Sequence, residues 1–152
     1  MDSPILPKLF AFDLDGTIWN PEMYELWGGG SPFTVIHASS TVKDVKGTKV
    51  NLLGDSASIL HELYQKSGTL TVAYVSTCDE PDWANECLNL FETTGKVLLK
   101  DVSHSSLIYT ENKQHHFREL KLQFPEVDYS DMIFFDNQMN NIRDVQKRKY
   151  IR

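Results

Sequence analysis

Three short apolar runs, "LFAFDL", "LTVAYVST" and "DMIFFD", are separated by stretches whose apolar residues recur at helical spacing. This alternation constrains the fold more than any other feature of the chain. Strands joined through helices pair in parallel, and a parallel sheet has to be covered on both faces. The first run, Leu9 to Leu14, is short and apolar and is ended by Gly16. "GDSASILHELYQKSG" predicts a helix that Asp55 or Ser56 can cap, with a stripe of Ile59, Leu60 and Leu63 and a stop at Gly68. "PDWANECLNLF" repeats the spacing through Ala84, Cys87, Leu88 and Phe91. "NKQHHFRELKLQF" turns Phe117, Leu120 and Phe124 inward, and a short helix with Ile142 and Val145 follows the last run. "GKVLLKDV" reads as one further strand. From Trp19 to about Pro32 the pattern is lost, and "WGGGSP" has the composition of a loop. "TVIHASSTVKDVKGTKVNLL" predicts a β-hairpin or a pair of short strands, turning near Lys46-Gly47.

With 152 residues, no internal repeat and no linker, the chain is read as a single domain over 1–152. Its 41% hydrophobic and 24% charged residues are those of a globular protein in water, and a net charge of −6 argues against nucleic acid as a partner. No apolar run is long enough to cross a bilayer, so no membrane partner is expected, and "MDSPILPKLF" lacks the basic region and long apolar segment of a signal peptide. Cys78 and Cys87 match neither a zinc spacing nor a C-x-x-C redox motif, which makes a reduced, cytoplasmic protein the simplest expectation.

In an open α/β sheet the ligand crevice lies beyond the carboxyl ends of the strands. The residues there are Asp13 and Asp15, then Ser76 and Thr77, then Asp136. Two like charges at the end of a buried strand need a cation, donors or a chemical role. Asp13, Asp15 and Asp136 with a hydroxyl at Ser76 make a hard, oxygen-rich set suited to Mg²⁺, and Lys113 at a helix start can supply fixed positive charge. An EF-hand is excluded because Gly16 falls at loop position four rather than six. A cysteine-phosphatase loop is excluded too: with five residues intervening after Cys78 the chain has Ala84 instead of arginine, and no arginine follows Cys87 at that spacing. His115 and His116 are adjacent, point to different helix faces, and are read as structural or peripheral.

"DLDGT" at Asp13–Thr17, Ser76 after "VAYV", Lys113, and "IFFD" ending at Asp136 resemble the four motifs of the haloacid-dehalogenase (HAD) superfamily of phosphohydrolases. Within it the chain resembles the eukaryotic capless magnesium-dependent phosphatases, from about Pro7 to about Val145. About sixty residues separate the first two motifs, too few for a large cap domain. The resemblance implies an open, HAD-like parallel sheet with helices on both faces and a small β-hairpin insertion after the first strand. It also implies that Asp13 attacks phosphorus to form an aspartyl-phosphate and that Asp15 handles the proton. Mg²⁺ would be held by Asp13, the Asp15 main-chain carbonyl and Asp136, with Asn137 beside it. Ser76, Thr77 and Lys113 would face the substrate. The implied substrate is a phosphomonoester, such as a phosphoprotein (phosphotyrosine included) or a phosphosugar.

The chain departs from this pattern in three places. Asn137 stands where the family has a second acid, and Thr77 where close relatives have an arginine able to grip phosphate bidentately. The chain stops at "KRKYIR", where relatives continue into another strand, so the last strand is expected to be missing. These departures motivate the alternative of a catalytically weakened pseudoenzyme that serves as a binding or regulatory module. A response-regulator receiver does not fit, because its acids come as an adjacent early pair with the phospho-acceptor on a later strand.

Overall fold

The computed structural model describes residues 6–36 and 39–146. In chain order its elements are β1 (Leu9–Phe12), β2 (Trp19–Asn20), a 3-10 turn (Met23–Leu26), β3 (Thr34–Ile36), β4 (Thr41–Lys43), β5 (Lys49–Leu52), α1 (Ser56–Gln65), β6 (Thr71–Ser76), α2 (Pro81–Leu88), α3 (Leu99–Val102), β7 (Ser105–Ile108), α4 (Lys113–Gln123), a second 3-10 turn (Tyr129–Asp131), β8 (Met132–Phe135) and α5 (Met139–Gln146). The α/β architecture expected from the alternation is present. β7, β6, β1 and β8 form a sheet in that order, and every pairing in it is parallel.

Side-chain alternation along the strands divides the core in two. Phe12, Val72 and Tyr74 face one way and meet Leu60 and Leu63 of α1, Ala84, Cys87 and Leu88 of α2, and Leu99 and Val102 of α3. Leu9, Ala11, Ala73, Val75, Met132 and Phe134 face the other way and meet Phe117 and Leu120 of α4 and Val145 of α5. Helices therefore cover both faces. The last strand, expected to be missing, concerns residues outside those described.

The insertion after β1 is more than a hairpin. β2, β5, β4 and β3 form a second, antiparallel sheet, and the turn expected near Lys46-Gly47 joins β4 to β5, with Gly47 at φ +87°. The stretch read as loop from Trp19 to Pro32 is partly ordered structure, since Trp19, Met23 and Leu26 are buried in the core. A two-residue strand and a single 3-10 turn are too short to show periodicity. The insertion is tied to the domain at several points. Glu86 of α2 accepts hydrogen bonds from the Phe33 amide (2.7 Å) and the Ser31 hydroxyl (2.6 Å), and the Phe33 ring meets Trp83 edge-on.

The strand expected at "GKVLLKDV" is a correction. Leu99 and Val102 lie three apart in the one-turn helix α3, both buried, and the strand is the following "SSLI" of β7. Helical spacing of the buried pair decides the first segment. The serine-rich β7 lies at the sheet edge, where packing demands on strand residues are weakest.

Asp44 organises the base of the insertion. It is 3% exposed, and its carboxylate accepts the amides of Gly30 (2.9 Å), Lys46 (3.0 Å) and Thr48 (2.8 Å). Burial alone pushes its pKa up, but the three amide bonds outweigh that and hold it below the usual carboxylate value. Asp44→Ala is expected to destabilise the fold by about 2 kcal/mol at neutral pH, since it orphans these donors. A depressed folded pKa gives stability that is present above the unfolded value and lost as pH falls through the folded one. The gap between parent and variant in urea unfolding should therefore narrow as the pH is taken below about 4.

Candidate active site

The strand register builds the site. Phe12 pairs with Tyr74 on one side and Phe135 on the other, so the residues that follow these strands emerge at one edge. The Asp13 amide still donates to the Phe135 carbonyl (2.9 Å), which locks the two loops together. Gly16 then turns the chain at φ +78°, and a Cβ there would stand 2.5 Å from the Asn137 amide nitrogen. This is the one position in the motif where a close approach requires glycine.

Asp13 is buried, with Oδ1 accepting from Lys113 Nζ (3.0 Å) and Oδ2 lying 3.4 Å from the Thr17 hydroxyl. Burial is the main cause that raises its pKa to about 6; the Lys113 ammonium opposes the shift and the Asp136 carboxylate adds to it. Lys113 begins α4, its side chain has no exposed surface, and it also donates to Asp136 Oδ2 (2.9 Å) and the Val75 carbonyl (2.9 Å). One ammonium thus bridges carboxylates from β1 and β8. Asp136 is held further by the Gln138 amide at Oδ1 (2.8 Å) and by Asn141 Nδ2 at Oδ2 (3.0 Å).

Asp15 accepts from the Trp19 indole N–H at 2.7 Å. Burial raises its pKa, and the Trp19 bond only partly offsets this. Ser76 is 1% exposed, and its hydroxyl oxygen accepts the Cys78 amide (3.1 Å), which leaves the hydroxyl proton for a ligand.

Asp13, Asp15, Ser76 and Thr77 line one cavity of about 270 Å³. Lys113 lies beneath it and reaches it through Asp13. Asp136 and Asn137 do not line it: both border a separate depression with Gly16, Thr17 and Phe135, where the Asn137 side chain lies against Gly16, and Asp136 is joined to Asp13 through the shared Lys113 ammonium. Among the described residues there is no cluster of three or more His, Cys, Asp or Glu side chains placed to hold a metal ion. Mg²⁺ is a hard cation that takes one or two carboxylates and keeps several waters. The carboxylates of Asp13 and Asp136, which share the Lys113 ammonium, and the Asp15 carbonyl make an all-oxygen donor set that fits such an ion.

The family profile described as Acid Phosphatase matches residues 5–150. The chain belongs to this acid phosphatase family. It is 35% identical over 144 residues to human magnesium-dependent phosphatase 1, an alignment that covers 93% of the chain and 74% of the human protein. It also resembles a solved structure, the N-terminal part of a Bacteroides fragilis protein containing a phosphatase domain complexed with Mg. The TM-score is 0.57 at 18% identity, with 95% of this chain and 34% of that one covered, and the likeness concerns the fold.

In this member of the acid phosphatase family the cavity has walls that the sequence did not disclose. Glu22 and Tyr24 reach it from the insertion, Asp79 from the loop after β6, Gln138 from the turn into α5 and Asn141 from α5 itself. Asn141 was findable in principle, because it lies on the helix that starts just after Asp136. Glu22 and Tyr24 were not, since they sit in the segment without periodicity.

Proposed function

We propose that this protein is a Mg²⁺-dependent phosphomonoester hydrolase working through an aspartyl-phosphate on Asp13. The observation that carries the reading is the buried Asp13 carboxylate, fixed by Lys113 in the lining of a cavity that Ser76 also lines. The Asp13 carboxylate would attack phosphorus while the ester P–O bond breaks, with the Asp15 carboxylic acid giving its proton to the leaving oxygen. Water then attacks the phosphorus of the acyl phosphate, Asp15 takes up its proton, and inorganic phosphate leaves with Asp13 restored. Ser76 would donate to a phosphoryl oxygen, and Lys113 would keep Asp13 aligned and offset charge in the transition state.

The residues suited to hold the ion are Asp13, Asp136 and the Asp15 main-chain carbonyl. When bound, Mg²⁺ supplies the positive charge that lets an anionic nucleophile approach an anionic phosphate. The likeness to human magnesium-dependent phosphatase 1 supports this requirement. Because no large cap covers the cavity, phosphoproteins or phosphosugars suit its open mouth, and the unpaired thiols of Cys78 and Cys87 suit a reducing cytoplasm. Hydrolysis of an aryl phosphate is expected to rise with added Mg²⁺ and to fall to background with EDTA, returning when Mg²⁺ is restored. Folded protein with no turnover at saturating Mg²⁺ would instead identify a binding module.

A further inference from the structure

Helix α4 presents two side chains, one turn apart, to two consecutive carbonyls of β6. Lys113 Nζ donates to the Val75 carbonyl at 2.9 Å, and His116 Nε2 lies 2.9 Å from the Ser76 carbonyl. Residues three apart share a helix face, so the same docking that places Lys113 also places His116. The Ser76 carbonyl accepts a second bond from the Tyr109 amide (3.0 Å), and the Tyr109 ring stacks on the imidazole at 4.1 Å and 11°.

His116 has no exposed surface and no carboxylate partner among the described residues. Burial lowers its pKa, so the ring is neutral near pH 7 and carries one proton. The Ser76 carbonyl only accepts, and its distance is shorter than the 3.3 Å from Nδ1 to the Asn112 carbonyl, which assigns the proton to Nε2.

We infer that His116 is a positioning residue for the Ser76 hydroxyl: by holding the Ser76 main-chain carbonyl it sets where Oγ projects into the cavity. The inference rests on the phosphatase reading and deepens it. The hydroxyl itself is steadied by one bond, from the Cys78 amide. Without His116 the Ser76 peptide is free to tilt about its remaining bond to the Tyr109 amide. A displacement of the order of 1 Å in a positioned group can lower a rate by about 10²-fold, and a partial tilt by less.

The test compares His116→Leu, His116→Gln and His116→Asn with the parent, and His116→Leu in a Ser76→Ala background. kcat and KM for an aryl phosphate are measured with Mg²⁺, with affinity for inorganic phosphate by calorimetry. His116→Leu is expected to lower kcat/KM roughly tenfold in the parent and less than about twofold in the Ser76→Ala background. His116→Gln, whose amide nitrogen reaches the position of Nε2, should recover most of the rate; the shorter Asn should not. Equal losses in both backgrounds would overturn the inference and leave a packing role. Should His116→Leu not fold, the Gln and Asn pair decides: equal rates, or Asn the better, would overturn it. A parent that binds phosphate without turnover removes the phosphatase reading alone, and the same pattern is then read in phosphate affinity. A parent that neither turns over nor binds phosphate removes both.

Discussion

Asp13→Asn is expected to lower Mg²⁺-dependent turnover by about four orders of magnitude or more, to the background of the assay, while leaving the protein folded. An amide has nearly the shape of the carboxylate and still offers an oxygen to Lys113, so the loss falls on nucleophilicity and metal affinity rather than on architecture. The stability change runs the other way from the activity change. In metal-free protein, burial of the Asp13 charge raises its pKa from 3.8 to about 6, so the folded state resists its ionisation. A carboxyl whose folded pKa is raised loses stability relative to its protonated form as pH rises through that window, and the deficit persists above it. The variant carries no such charge. In urea unfolding it should be at least as stable as the parent at pH 7, with the difference closing below about pH 4. A variant that retains turnover would remove Asp13 from the chemistry.

Lys113→Met is expected to damage stability and activity together. The ammonium has no exposed surface and binds Asp13, Asp136 and the Val75 carbonyl. A methionine of similar length fills the stem's volume beside Phe134, but it leaves two buried carboxylates without their shared cation. Removing one partner of such a cluster costs about 3–5 kcal/mol, a large part of what a domain of this size has. Turnover should fall by about 10²–10³-fold or more, the range for a preorganised charge-stabilising group. The double variant Lys113→Met with Asp136→Asn should regain part of the lost stability, because one stranded charge goes with it. Strict additivity of the two single changes in urea unfolding would mean that the bridge is not coupled.

Much of this site was legible because strand ends advertise themselves. Asp13, Asp15 and Asp136 each follow an apolar run, and a carboxylate in that position is costly without a reason. Lys113 carried no local signal; only its order among the other motifs marked it, and its reach across 100 residues to Asp13 depends on how α4 docks. His116, read as structural or peripheral, is buried against the Ser76 carbonyl. Beside His115 it reads as half of a poor pair, whereas its relevant neighbour is Lys113, three residues back on the same face. Thr77 does line the cavity, but Asp136 and Asn137 border the neighbouring depression by Gly16, a distinction that side-chain direction decides and spacing does not.

The fold divides in the same way. Long periodic segments were readable, because burial of one face imposes the period. The insertion was not, because its core residues Trp19, Met23 and Leu26 sit in elements of two to four residues. The strand placed at "GKVLLKDV" shows the opposite error. A dense apolar run looked like a strand, while the real strand, "SSLI", has few apolar residues to declare it.

The most direct measurement is chemical trapping of the intermediate. The protein is mixed with an aryl phosphate and Mg²⁺, quenched during steady turnover, treated with borohydride and mapped by mass spectrometry. Acyl phosphates are reduced to the alcohol under these conditions, so the proposed mechanism predicts homoserine at position 13 and nowhere else, absent without substrate and absent in Asp13→Asn. Turnover at full rate with Asp13 unmodified, or with the label on another carboxylate, would contradict the assignment of Asp13 as nucleophile.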